Sequence, residues 1–315
     1  MLLFWLAAGV IFAQQGSTIR VPVHLVSVPT LVLSKDGQLV PGLQTTDFRV
    51  YDNGRLQSVA LETMAVPVSV AVAVQVNQDV RSYVPFIAKT GSVIEALLAG
   101  ESGQTTLIAY NKDVTIIKLF DNLRNIPTNG RQARMIDAGL RAVTFLKEHP
   151  ASRSRTLLII GQPIDDGSES TLAALKNAVE TANVTVYALT LPQVGKTFVS
   201  DTVKLSGVSA QEKGGFKAGL DLGRLIEVLG RSSKAEAGAD PFSILTAATG
   251  GTQIHFRKQR ELESAIATIG VELRSAYLLS YYPSSTEPGY HTINIEVAIP
   301  GAKTHSRPGY VNASE

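Results

Sequence analysis

Two groups of carboxylates follow long apolar runs, and these are the places where the chain could do chemistry. Val68-Ser69-Val70-Ala71-Val72-Ala73-Val74 leads through Gln75-Val76-Asn77-Gln78 to Asp79, and the run Thr156 to Ile160 is followed by Asp165-Asp166-Gly167. A continuous apolar run of this length marks a strand buried on both faces. Sheets of such strands bind ligands at the carboxyl ends of the strands. A divalent cation is one reading of these acids, because hard cations take oxygen ligands. The other is that Asp166 or Ser168 caps the helix that follows.

Other chemistries lack their residues. The segment after the first apolar run has no glycine, so its backbone cannot approach a pyrophosphate closely, and neither a Gly-x-Ser-x-Gly elbow nor a complete Gly-x-x-x-x-Gly-Lys-Ser/Thr loop occurs. Gly214-Gly215 and Gly219 read as a loop tract. The five histidines, His24, His149, His255, His291 and His305, are scattered, and no two share a helical turn as metal ligands would. With no cysteine, disulfides, zinc-thiolate sites and thiol nucleophiles are absent. No serine stands in a recognisable nucleophile context, so the chain reads as a non-enzyme.

The elements that must hold these residues follow from periodicity. Val21 to Leu33 alternates as a strand does, and Phe48 to Tyr51, Asp52-Asn53-Gly54 and Gln57 to Leu61 read as a hairpin. From Pro67 onward strands and helices alternate. The expected order is strand 68–74, helix 80–98, strands 105–110 and 114–119, helix 133–147, strand 156–160, helix 168–182 and strand 184–189. Helix 242–248, strand 252–256, helix 261–274 and strands 277–282 and 292–299 complete it. This pattern predicts an α/β fold, a doubly wound and mainly parallel sheet inserted in a small β-sandwich formed by both termini. The divisions are 14–66 and 276–315 for the sandwich and 67–275 for the α/β part. Residues 192–239, rich in Gly, Ser and Lys, read as a partly flexible insertion in which only 220–229 looks helical.

At 315 residues and 44% hydrophobic, the chain can bury sizeable cores. Its 29 basic and 27 acidic residues give a charge of +2 with no basic block, which argues against nucleic acid as a partner. Met1 to Ala13 is uninterruptedly apolar, too short to span a bilayer as a helix, and fits the apolar region of a secretory signal. Export to the periplasm, cell envelope or medium is expected, with no integral membrane span after signal removal.

The order of local sequences resembles the von Willebrand factor A-type domains of the bacterial "VWFA-related" group, of the Acidobacteria type. The carriers include Val40-Pro41-Gly42-Leu43, Asp47-Phe48-Arg49-Val50, Pro67-Val68-Ser69-Val70, Ile136-Asp137-Ala138, Ala248-Thr249-Gly250-Gly251, Glu272 through Pro283, and Arg307-Pro308-Gly309-Tyr310. The resemblance covers nearly the whole chain after the signal. It implies a partner-binding module with a magnesium-centred adhesion site built from Asp-x-Ser-x-Ser, a threonine and a later aspartate.

Position by position, the first aspartate falls on Gln75, the serines on Asn77 and Asp79, the threonine on or near Ala133, and the later aspartate on Gln162. Magnesium dehydrates reluctantly and needs anionic oxygens, so amides at these positions imply a degenerate site. Asp79 and Asp165 are the remaining candidates for a metal; no cofactor is expected, magnesium included. The expectation is therefore an exported, metal-independent module that binds a protein through a rim containing Gln75, Asn77, Asp79, Ala133, Gln162 and Asp165. The rivals are a structural spacer of an envelope complex and a hydrolase on the same sheet.

Overall fold

The computed structural model describes residues 25–62, 67–100, 103–149, 154–192 and 240–312. The expected signal over 1–13, the helix over 220–229 and the insertion from 193 onward lie outside these residues. β5 (Val68–Gln75) is the middle of the molecule, and every one of its residues is buried. It pairs in parallel with β6 (Gln104–Tyr110) on one side and β8 (Ser154–Gly161) on the other. β9 (Val184–Thr190) and β10 (Gln253–His255) continue in parallel beyond β8, while β7 (Val114–Ile117) turns back antiparallel on β6. The order β10-β9-β8-β5-β6-β7 makes a doubly wound sheet whose order reverses between β5 and β8.

The period-2 alternation of β5 sorts its side chains between two layers. Val68, Val70, Val72 and Val74 pack under α1 (Val84–Ile94) and α5 (Gln259–Ser275), with Ile87, Ile266 and Ile269 against them. Ala71 and Ala73 face α2 (Met135–Lys147), α3 (Leu172–Thr181) and α4 (Pro241–Thr249). Small residues on this face suit a helix layer bearing bulkier side chains such as Met135 and Leu146. α1 is shorter than expected, because the chain from Gln78 to Tyr83 forms turns and Glu95–Ala99 forms a turn of π-helix. Thr171 caps α3 and Asp240 caps α4, each accepting from backbone N–H groups of the first turn.

Two antiparallel sheets flank this layer. β1 (Val26–Leu33), β4 (Val59–Glu62), β11 (Tyr277–Tyr281) and β13 (Lys303–His305) form one, in the order β13-β1-β11-β4. β2 (Phe48–Asp52), β3 (Arg55–Gln57), β12 (Gly289–Val297) and β14 (Gly309–Asn312) form the other, in the order β14-β12-β2-β3. Between them pack Val28, Phe48, Val50, Leu279, Ile293 and Ile295. The hairpin at Asn53-Gly54 has φ of 46° and 77°, the left-handed pair that matches strand twist. The expected strand over 57–61 is instead two strands. Buried Gln57 exchanges hydrogen bonds with Ser284, closing β3, and the chain crosses at Ser58 into the other sheet as β4.

A buried acid holds the two sheets in register. The Asp52 carboxylate meets His291 Nδ1 at 2.8 Å and accepts from the hydroxyls of Tyr281 at 3.0 Å and Tyr310 at 2.8 Å. A carboxylate out of water requires such partners.

Arg307 ties the sandwich to the α/β layer. Its guanidinium is buried and donates to the carbonyls of Gly309 and Glu180 and to the Asn183 side chain at the end of α3. Gly250, at φ 71°, lies under the Arg307 backbone, where an added Cβ would come within 2.4 Å of the Arg307 nitrogen. Leaving those buried acceptors unpaired costs about 1–3 kcal/mol each before relaxation. Arg307→Met is therefore expected to lower unfolding free energy by about 2–4 kcal/mol in urea titration, with Lys303→Met, an exposed control on β13, within about 0.5 kcal/mol of wild type.

Candidate functional site

The carboxyl ends of β5, β6 and β8 meet at the reversal of strand order, and the amide-bearing residues lie there. Gln75 is the last residue of β5 and is fully buried. Its Oε1 accepts from the Gln162 backbone N–H at 2.6 Å, and its Nε2 reaches Gln162 Oε1 at 3.5 Å. Gln162 in turn donates through Nε2 to the Pro192 carbonyl at 3.1 Å. One carboxamide thus clips β5 to the chain leaving β8. A glutamine suits this place because it supplies both an acceptor and a donor while remaining uncharged in a buried setting.

Asn77 does comparable work one turn further on. Its side chain is buried, donates to the Arg131 carbonyl at 2.6 Å, and accepts from the Asp79 N–H at 3.2 Å in an Asx turn. The Gln78 N–H bonds the Gly130 carbonyl at 2.9 Å, so the loops after β5 and before α2 are stitched together. Asp79 is mostly covered, and its carboxylate lies 3.6 Å from Arg131 Nε. Arg131 is 73% exposed, so this pair adds little to stability.

The acids after β8 cap a helix, as one sequence reading expected, but a different helix. Asp166 Oδ1 accepts from the Ala133 N–H at 2.7 Å, and Asp165 Oδ1 accepts from the Ile136 N–H at 2.9 Å and from the Ser168 hydroxyl at 2.7 Å. Ser168 accepts from the Asp137 N–H, and the Asn111 carbonyl accepts from the Arg134 N–H. The first-turn N–H groups of α2, which have no partner within the helix, therefore find oxygens from the loop after β8 and from the end of β6. α2 carries no side-chain cap of its own. Negative charge there also matches the positive end of the helix.

Tyr110 and Gly161 form the floor and were not singled out from the sequence. The Tyr110 hydroxyl is buried and has no hydrogen-bond partner, and burial, then the charge of Asp165, push its pKa far up. A Cβ at Gly161 would stand 2.2 Å from that hydroxyl and 2.9 Å from Gln75 Oε1, so only glycine fits. The signal that could have found it is a glycine closing an otherwise apolar strand, a mark of close approach.

No protein-family model and no curated protein matches the sequence. Solved structures do, at low identity. BatB from Bacteroides thetaiotaomicron aligns over 65% of this chain and 98% of its own, with 11% identity and a TM-score of 0.39. The von Willebrand factor type A structure from Catenulispora acidiphila aligns over 94% and 76%, with 8% identity and a TM-score of 0.44. An aerotolerance-related membrane protein from Bacteroides fragilis aligns over 64% and 98%, with 12% identity and a TM-score of 0.37. The chain is similar to von Willebrand factor A-type structures.

Of the six rim residues expected to meet a partner, the structure places four out of reach. Gln75, Asn77 and Ala133 are 0% exposed and Gln162 is 3% exposed. Their hydrogen bonds point into the protein, so they shape the rim without touching what lies on it. Asp79 and Asp165 are partly covered, and the solvent-facing surface includes Gln78, Gly130, Arg131, Gln132, Asp166 and Gly167. As a donor set for magnesium these residues do not fit. Gln75 Oε1 and Asn77 Oδ1 already accept hydrogen bonds, Ala133 has no side-chain oxygen and its carbonyl accepts from the Asp166 N–H, and Asp165 is turned onto α2. Asp79 alone offers a carboxylate on the loop after β5, and Arg131 faces it. No helix among the described residues is long and apolar enough to cross a membrane.

Because Asp165 holds both a helix N–H and a hydroxyl, Asp165→Ala is expected to destabilise the protein by about 1–2 kcal/mol in urea titration. Loss of protection should concentrate in the first turn of α2 by hydrogen exchange, while Asp79→Ala, which removes only a 3.6 Å pair with the exposed Arg131, changes stability by less than about 0.5 kcal/mol.

Proposed function

We propose that this chain is an exported, non-enzymatic module of the von Willebrand factor A type that binds a protein partner on the rim at the reversal of strand order, without a metal. The observation that carries the reading is the Gln75 carboxamide. It stands where the resemblance places a metal-ligating aspartate, and its oxygen is engaged by the Gln162 N–H at 2.6 Å. A neutral floor whose amides are engaged by one another and by backbone supplies shape and rigidity, and recognition then falls to the exposed residues above it. Arg131, Gln132 and Asp166 offer a cation, an amide and a carboxylate within one short stretch of surface. Rigid backing of such groups lowers the ordering cost of binding.

The rival of a structural subunit without an adhesive rim rests on the same saturation of the amides, and the two separate by experiment. Affinity capture from envelope extracts is expected to recover the same partner with or without chelator, and Arg131→Glu combined with Asp166→Lys is expected to abolish it. Retained capture by that variant, with the fold intact by circular dichroism, would exclude the rim. The metal claim has its own measurement. Neither added magnesium nor a chelator should move the melting temperature, and a chelator-induced shift of several degrees would overturn metal independence.

A further inference from the structure

Between the sandwich and the α/β layer lies a cavity of about 20 Å³, room for one water molecule. Its titratable lining is Glu272 on α5, Tyr187 on β9, His305 on β13 and Arg307 just beyond it, with the hydroxyl residues Ser154, Thr185 and Thr249 beside them. Glu272 is 4% exposed, and its carboxyl is hydrogen-bonded by Tyr187. His305 reaches across from the sandwich. One ring nitrogen hydrogen-bonds the Gly250 backbone, while Nε2 has no partner and faces Glu272 Oε1 at 3.8 Å.

The tautomer makes this pair informative. A neutral imidazole that donates from one nitrogen presents a lone pair at the other. His305 Nε2 then confronts a carboxyl oxygen, and because Glu272 is buried with no cation among the described residues bonded to it, a proton on the carboxyl avoids holding an uncompensated charge beside that lone pair. The separation is beyond a direct hydrogen bond but suits a single bridging water. We propose that Glu272 and His305 share one proton across this cavity through a bridging water, as a neutral acid and a neutral base, and that this proton locks the sandwich onto the α/β layer. Loss of the proton leaves a carboxylate confined beside a lone pair, and the joint loosens.

The titrations agree in direction. Burial pushes the Glu272 carboxyl up from 4.5 to about 7, against a smaller opposing pull from the Tyr187 hydrogen bond. Burial pushes the His305 imidazole down from 6.5 to about 4, against the Gly250 hydrogen bond. The other facing groups hold their state across this range. Tyr187 stays protonated, its pKa raised by burial and by Glu272, and Arg307, lowered by burial to about 10, stays cationic and tied to the end of α3.

The sign of each contribution follows. Glu272 has its folded pKa raised, so its stability is present below pH 4.5 and is lost as pH rises through about 7. His305 has its folded pKa lowered, so its stability is present above pH 6.5 and is lost as pH falls through about 4. Between pH 4.5 and 6.5 the unfolded chain carries one proton on the histidine and the folded chain one on the glutamate, so the pair together contributes no slope.

The test is urea unfolding from pH 4.5 to 8 of the full chain and of Glu272→Gln and His305→Gln. Relative to wild type, the folding constant of Glu272→Gln should rise about tenfold per pH unit between 4.5 and 6.5, and that of His305→Gln should fall about tenfold per unit. Both variants tracking wild type within twofold would overturn the proposal. A second measurement does not depend on the variants folding. Infrared difference spectra of wild-type protein should show a protonated carboxyl band at pH 5.5 that disappears through about pH 7, together with faster amide exchange around Gly250. Absence of the band at pH 5.5, or its loss without any change in exchange, would equally reject the proton-locked joint.

Discussion

Complete burial of β5 is the constraint on which the rest of this structure depends. All eight of its residues are inside, flanked on both edges by parallel strands and on both faces by helices. At its carboxyl end the chain must pass from this interior to the surface, and any polar group there has to find partners at once. Gln75 and Asn77 do so as neutral amides. Each donates and accepts, so each joins two loops while burying no charge. A carboxylate at Gln75 would face the Gln162 N–H with one oxygen and the Gln162 side-chain oxygen with the other, and its charge would need a counterion.

The same demand shapes the neighbouring acids. Asp165 is turned onto α2, and Asp166 commits its Oδ1 to the Ala133 N–H while its side chain stays exposed, because α2 lacks its own cap and the N–H groups at its start need acceptors. The loop after β8 therefore serves as a cap in trans, and the rim is rigid because two loops and a helix end satisfy one another. Polar recognition is left to Arg131, Gln132 and Asp166, which are exposed at this rim.

The sandwich meets the α/β layer on different terms. Its own interior is stabilised by aliphatic packing around one acid, Asp52, surrounded by His291, Tyr281 and Tyr310. Across the joint to the helices, packing leaves a small polar cavity, and charged or titratable groups do part of the holding. Arg307 succeeds because carbonyls and an amide oxygen accept from its Nε, Nη1 and Nη2. Glu272 and His305 have fewer partners, which ties their protonation to the closure of the joint.

Periodicity made the α/β layer readable. The apolar run of β5, the helical spacing in α2 and the Asn53-Gly54 turn are local patterns whose physics needs no distant residue. Boundaries were less legible, as at Gln57, where a distant partner, Ser284, ends one strand and sends the next into the other sheet. For the site, the resemblance to von Willebrand factor A-type domains was what set the amides of Gln75 and Asn77 against that family's aspartate and serine. It could not reveal that those amides are consumed by one another. Gln75 and Gln162 are 87 residues apart, and so are brought together only by the pairing of β5 with β8. Nor could it say which helix Asp165 and Asp166 would cap, or that Tyr110 needs Gly161 beneath its hydroxyl. Chemical identity is carried by the chain; partnership and burial are set by the sheet that folds its distant parts together.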